Sequence, residues 1–109
     1  MDRNPELRQT RILVTGSGGL LAPYLVEAAR PRGRVVQTSR SSGDVPADLT
    51  NEKQVRDLIR NVNPRIILHT AALTDIEFCE KNPDQAELIN GLVVRNLVQN
   101  LIGPMTLVH

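Results

Sequence analysis

"TRILVTGSGGLLAPYLVEAAR", residues 10–30, decides the fold. RILVTG (11–16) is a β-branched and aliphatic run ending at a glycine. It is too short for a helix and reads as a buried strand. LLAPYLVEAARPRG (20–33) follows with helical spacing, with Leu21, Leu25 and Ala28 or Ala29 on one face. Pro23 is tolerated in a first helical turn, and Pro31 and Gly33 end the helix. Between strand and helix stands Gly16-x-x-Gly19-x-x-Ala22, and Gly18 pairs with Gly16 as a G-x-G.

The remaining chain repeats the alternation. RVVQTS (34–39) is a second strand, and RSSGDVPAD (40–48) is a turn-rich loop with a very short third strand near Val45. TNEKQVRDLIRNV (50–62) is a helix with Val55, Leu58, Ile59 and Val62 on one face and Thr50 or Asn51 as its cap. Pro64 stops it, and RIILHTAA (65–72) is another short, near-continuous apolar run. A helix over 82–103 opens with Asn82 as cap and Pro83 in its first turn. Ala86, Ile89, Val93 and Leu97 line one side, and Gly103 and Pro104 close it. MTLVH (105–109) begins a further strand. Strands apolar on both faces, alternating with helices, predict an α/β protein. The expected architecture is a Rossmann-like, doubly wound parallel sheet of about five strands with helices on both faces. Residues 1–9 are polar and expected to form a disordered tail, with one domain over 10–109.

Composition narrows the partners. Hydrophobic residues make up 40%, charged residues 23%, and the net charge is +1, an ordinary soluble balance without the footprint of a nucleic-acid binder. Tyr24 and Phe78 are the only aromatics, too few for a base-stacking platform. No apolar run approaches the roughly 20 residues of a membrane span, and MDRNPELRQT has no apolar leader. Cys79 is the single cysteine, which fits a reducing, cytoplasmic setting. Two histidines and one cysteine, far apart, argue no metal site.

The glycine turn carries the functional expectation. A glycine is needed where the chain leaves the strand, and a second where a pyrophosphate approaches the backbone. The third position must be small so that helix packs on strand; Gly16, Gly19 and Ala22 meet these needs. The helix N-terminus then directs N–H groups and its positive dipole end at the phosphates. No G-K-[ST] follows, so this is not a P-loop. In dinucleotide folds an acid about 20 residues on holds the NAD ribose, whereas an arginine accommodates the 2′-phosphate of NADP. Here QTSRSS has no acid but has Ser39, Arg40 and Ser41. A guanidinium can clamp a phosphate with paired hydrogen bonds, so NADP(H) is preferred over NAD(H). Asp48 either accepts from the adenine amino group or caps the next helix. His69, alone at a strand end, is expected to be packed or hydrogen-bonded.

Taken together, VTGSGGLLAPYL, DLTN, NPRIILHTAALTDIEFCEKNPDQAELIN and MTLVH resemble an extended short-chain dehydrogenase/reductase. Within that superfamily they are most similar to the dTDP-4-dehydrorhamnose reductases and related sugar-nucleotide ketoreductases, over about residues 10–109. The resemblance implies that Gly16, Gly19, Leu20 and Leu21 form the pyrophosphate turn. It places Ser39 and Arg40 at the 2′-phosphate, Asp48 and Leu49 at the adenine, and Ala71, Ala72 and Thr74 along the ribose and nicotinamide. Asn90 matches a helix asparagine that supports the active site in such reductases, or is an ordinary exposed helix residue. The family's catalytic Ser/Thr and Tyr-x-x-x-Lys have no counterpart here, since Tyr24 is followed by Ala28 in the first helix. The chain is therefore expected to be truncated, to bind the dinucleotide without a catalytic residue, and to meet a sugar nucleotide only within a full-length enzyme. The alternatives are a non-catalytic regulatory subunit, as in methionine adenosyltransferase, or a sugar-nucleotide epimerase or dehydratase of the same superfamily. A sheet ending on the 105–109 strand leaves an open edge, so marginal stability or self-association, with a homodimer as one form, is also expected.

Overall fold

The computed structural model describes residues 10–16, 22–39, 43–70 and 80–108. Strand β1 (Arg11–Thr15) precedes helix α1 (Ala22–Ala29) and one 3-10 turn (Arg30–Arg32). Strand β2 (Arg34–Thr38), helix α2 (Glu52–Val62), strand β3 (Ile66–His69), helix α3 (Pro83–Gln99) and strand β4 (Thr106–Val108) follow. The sheet runs β2-β1-β3-β4, every pair parallel. The doubly wound α/β class is as expected, with four strands among the described residues rather than about five.

The difference lies at Val45, where no strand forms. Gly43, at φ 93°, turns the chain back. The amides of Asp44 and Val45 both donate to the Gln37 carbonyl, at 2.8 and 3.2 Å. Asp44 Oδ2 accepts from the Gln37 amide at 3.0 Å. A carboxylate thus takes a backbone acceptor's place beside β2, and Pro46 contributes no N–H to a ladder. The outcome is a folded-back loop that covers part of the edge of β2.

Strand alternation sorts the core into two layers. Leu13 and Ile67 pack with Val55, Leu58, Ile59 and Val62 of α2 and Val93 and Leu97 of α3. Ile12 and Val14 pack on the opposite face with Ala22, Val26 and Ala29 of α1. Both faces of β1 are therefore buried, which explains why its sequence is apolar without alternation. On α1, Ala22, Val26 and Ala29 are buried, Ala29 as one of the expected positions; Leu25 is half-buried, Ala28 is exposed and Leu21 lies outside the described residues. The helix starts at Ala22, so the i, i+4, i+7 stripe is counted from there.

Helix α2 follows its sequence closely. Asn51 caps it, its side chain accepting from the Gln54 amide at 3.2 Å. Asn63, at φ 50°, ends it, its amide donating to the Ile59 carbonyl at 2.7 Å. Asparagine tolerates this left-handed position better than most residues.

Gly33 is required by proximity rather than by its backbone angle. A Cβ there would stand 2.5 Å from the Thr10 carbonyl oxygen. That oxygen already accepts from the Arg34 amide at 2.7 Å, where β2 meets β1. The obstacle is backbone in the sheet and cannot swing aside. Gly33→Ala is expected to destabilise the fold by about 1–3 kcal/mol, seen as a lower urea midpoint with an unchanged slope.

Candidate functional site

The strand order has a reversal point among the described strands. From β1 the chain crosses outward to β2, then returns past β1 to β3. Helices α1 and α3 pack on opposite faces of the sheet, so the carboxyl ends of β1 and β3 mark the switch point where open α/β sheets bind ligands. Gly16 stands there, directly after Thr15, at φ 72°. A side chain would strain this left-handed conformation, so the strand exit needs glycine.

The sheet edge at this switch point is stitched by side chains. Thr15 and His69 are register partners across β1 and β3, and both are buried. Thr15 Oγ1 lies 2.6 Å from His69 Nδ1. One residue on, Thr70 Oγ1 donates to the Thr15 carbonyl at 2.6 Å. His69 is thus the packed, hydrogen-bonded histidine that its position suggested. Thr38 extends the row, paired in register with Thr15. It too is fully buried, and its Oγ1 has no hydrogen-bond partner.

The loop between β2 and α2 brings further candidates to the same sheet edge. Ser39 is half-buried, and its carbonyl accepts from the Ala47 amide at 2.9 Å. Asp48 Oδ1 accepts from the Thr50 amide at 3.0 Å and from Thr50 Oγ1 at 2.6 Å. The Asp48 amide donates to Gln54 Oε1 at 2.9 Å. Asp48 therefore builds the turn before α2, while Asn51 holds the capping position. Leu49 is half-buried against the α2–α3 core, and its carbonyl accepts from Asn96 Nδ2 at 2.9 Å. Asn96, buried on α3, is a tether that the sequence reading did not single out.

Gly16, Ser39, Asp48 and Leu49 all follow carboxyl ends of strands or the loop beside them. Gly19, Leu20, Leu21, Arg40, Ala71, Ala72 and Thr74 lie outside the described residues. Asn90 is half-buried rather than exposed, and its Oδ1 is buried without a partner. Thr15, Thr38 and Thr70 were not singled out from sequence either. Their signal was there: VTG, QTS and LHT put a threonine at the carboxyl end of three neighbouring strands. Among the described residues, no cluster of three or more His, Cys, Asp or Glu could hold a metal. No described helix is long and apolar enough to cross a membrane.

Comparison with known proteins gives consistent neighbours. The family described as RmlD substrate binding domain matches residues 10–102. The dTDP-4-dehydrorhamnose reductase of Mycolicibacterium smegmatis is 30% identical over 89 residues, covering 82% of this chain and 26% of its own length. The structure of dTDP-4-dehydrorhamnose reductase from Bacillus anthracis, in complex with NADP, is 31% identical with a TM-score of 0.67, covering 81% of this chain and 30% of that one. UDP-glucose 4-epimerase of Thermus thermophilus, in complex with NAD, is 25% identical with a TM-score of 0.70, covering 84% and 33%. The chain thus spans about a third or less of each.

The Thr15–His69 contact is buried, and removing the Thr15 hydroxyl takes away a hydrogen bond to His69 Nδ1 in a place where water cannot replace it. Thr15→Val is expected to lower stability by about 1–3 kcal/mol, measured by chemical denaturation. Thr15→Ser keeps the hydroxyl and should retain most of that difference.

Proposed function

The chain belongs to the RmlD substrate binding domain family, and from that premise we propose that it is the dinucleotide-binding part of a sugar-nucleotide reductase. The observation that carries this reading is Gly16 in a left-handed conformation at the exit of β1, at the switch point of the strand order. A backbone free of side chains at that turn suits close approach by a pyrophosphate. Gly16, Gly19, Leu20 and Leu21 would hold it, with the N-terminus of α1 behind them. Ala71, Ala72 and Thr74 would run along the ribose and nicotinamide. Asp48 and Leu49 would flank the adenine; the Asn96 tether and the Thr50 contacts hold that segment in shape. Thr38 Oγ1, buried and unpartnered beside Ser39, fits a site that takes a polar ligand nearby.

The preferred cofactor in this reading is NADP(H). The fold by itself does not choose, since similar structures carry NADP in one case and NAD in another. The selecting group would be Arg40, with Ser39, on the 2′-phosphate. The substrate class would be a dTDP-4-keto-6-deoxyhexose, met within a longer enzyme.

NADPH, when bound, supplies the hydride. Reduction of a ketone also builds negative charge on the carbonyl oxygen, which must meet a proton donor. Tyr24 is not that donor: it is 76% exposed on α1, and Ala28 stands where a lysine would lower its pKa. The part of these residues is to bind and orient the cofactor, and the acid comes from elsewhere in the enzyme.

Calorimetric titration of the chain with NADPH and with NADH tests the proposal. NADPH is expected to bind about 10-fold or more tightly, in line with a charge-assisted phosphate contact. Arg40→Ala should remove that preference and leave the circular dichroism spectrum unchanged. A folded chain that binds neither nucleotide would overturn the reading.

A further inference from the structure

The amino end of the sheet, opposite the candidate site, carries a row of arginines. Arg11 and Arg34 are register partners across β1 and β2. Arg65 stands on the other side of Arg11, one residue before the Ile12–Ile66 pair, and its amide donates to the Arg11 carbonyl at 2.8 Å. Register partners share a face, so all three stand on the side of Leu13, Val36 and Ile67. Neighbouring strands lie about 4.8 Å apart, which makes the row about 10 Å long. Arg34 and Arg65 are exposed and Arg11 is half-buried.

The surroundings strengthen this charge. Arg30 and Arg32 stand in the turn that leads into β2. Arg60 stands in the last turn of α2, which joins β3 through Asn63 and Pro64. Arg30 meets Glu27 at 3.9 Å, while Arg11, Arg34 and Arg65 have no ion-pair partner among the described residues. Acids gather at the opposite end, with Glu52 and Asp84 in the first turns of α2 and α3 and Asp44 and Asp48 after β2. The row does nothing for the sheet itself, because like charges opposite one another on neighbouring strands are destabilising. A helix dipole rewards Arg60 at the end of α2, but Arg11 and Arg34 are strand residues.

Spacing and charge identify the occupant. Donors that hold a single small anion converge on it, whereas these three stand in line. Acids three or four residues apart on a helix lie about 5–6 Å from one another, close to the step between the arginines. A guanidinium meets each carboxylate with two parallel hydrogen bonds. A nucleic acid fits less well, since the net charge is +1 and the chain has two aromatics to stack on bases.

We propose that the amino end of β2, β1 and β3 is a docking surface for an acidic helical segment of another protein. The helix lies across the strands, with a stripe of carboxylates on Arg34, Arg11 and Arg65. The row stops at Thr106 of β4, whose amide donates to the Arg65 carbonyl. A partner bound there leaves the candidate site and the outer edge of β4 free, and the proposal does not depend on what the candidate site binds.

Fluorescence anisotropy with a labelled alanine-based helix of about 20 residues, with glutamate at every fourth position, tests this. The glutamate peptide is expected to bind about 10-fold or more tightly than its glutamine counterpart, the sum of three exposed ion pairs. Binding should weaken as salt rises. Arg34→Glu/Arg65→Glu should abolish it, and the milder Arg34→Gln/Arg65→Gln should weaken it, with circular dichroism checking that each is folded. Lys53→Glu/Arg95→Glu makes the same change in net charge on exposed helix positions away from the row and should bind as the natural chain does. Equal binding of the two peptides, or equal loss in the row and control variants, overturns the proposal. So does tighter binding of a single-stranded oligonucleotide, or self-association of the peptide-free chain that the row variants abolish.

Discussion

Burial of β1 on both faces is the constraint on which the rest of the structure depends. Leu13 and Val14 point to opposite sides and are both fully excluded from solvent. One face needs α1, and the other needs α2 and α3 together. Right-handed crossovers satisfy this only if the chain steps one way from β1 to β2 and then the other way from β2 past β1 to β3. Two-sided burial and the switch point are thus one feature seen from two ends. The apolar middle of β1 stabilises the sheet, and its carboxyl end faces the place where the layers part.

Polar groups at that end carry a corresponding cost. Thr15, Thr38 and His69 are all buried, and a buried polar group without a partner is costly. Thr15 and His69 satisfy one another, and Thr70 adds a bond to the Thr15 backbone. The β2–α2 loop is held in the same manner. Asp44 binds the edge of β2, Asp48 closes the turn at Thr50, and Asn96 reaches from α3 to the Leu49 carbonyl. From Gly43 to Thr50 the backbone groups are tied at several points.

Much of this was legible in the chain because the signals were local. The apolar runs 11–16 and 65–70, the spacing Val55, Leu58, Ile59, Val62, and Pro83 at a helix start each reflect a short-range rule. On α1 the sheet residues Ile12 and Val14 take Ala22, Val26 and Ala29 as the buried face and leave Leu25 half-buried, a choice made by tertiary packing and not by hydrophobicity alone. The strand near Val45 was misjudged because a side chain, Asp44, substituted for a strand in pairing with Gln37. Register was the other hidden quantity. Nothing local says that Thr15, Thr38 and His69 stand in one row, since that follows from which strands pair and with what offset. Likewise Asn96 looks like a surface polar residue until the loop carrying Leu49 is folded against it.

Helix α3 shows how such hidden demands leave a trace. A helix chosen for its own stability would not carry Asn90, Gly91 and Asn96, all weaker helix formers than alanine or leucine. Gly91 alone costs about 0.5–1 kcal/mol relative to alanine. Each departure points away from the helix itself. Asn96 gives up helix propensity to hold the Leu49 carbonyl, and Asn100 in turn bonds the Asn96 carbonyl. Asn90 keeps a buried oxygen without a partner in the chain, and Gly91 keeps an open space that no neighbour fills. Places where local preference is overruled are where a fold serves something beyond its own stability. In α3 those places fall on two sides, one turned to the loop of the candidate site and the other outward. Asn96 is tied to the Leu49 loop, while Gly91 lies exposed on the outer side of the same helix.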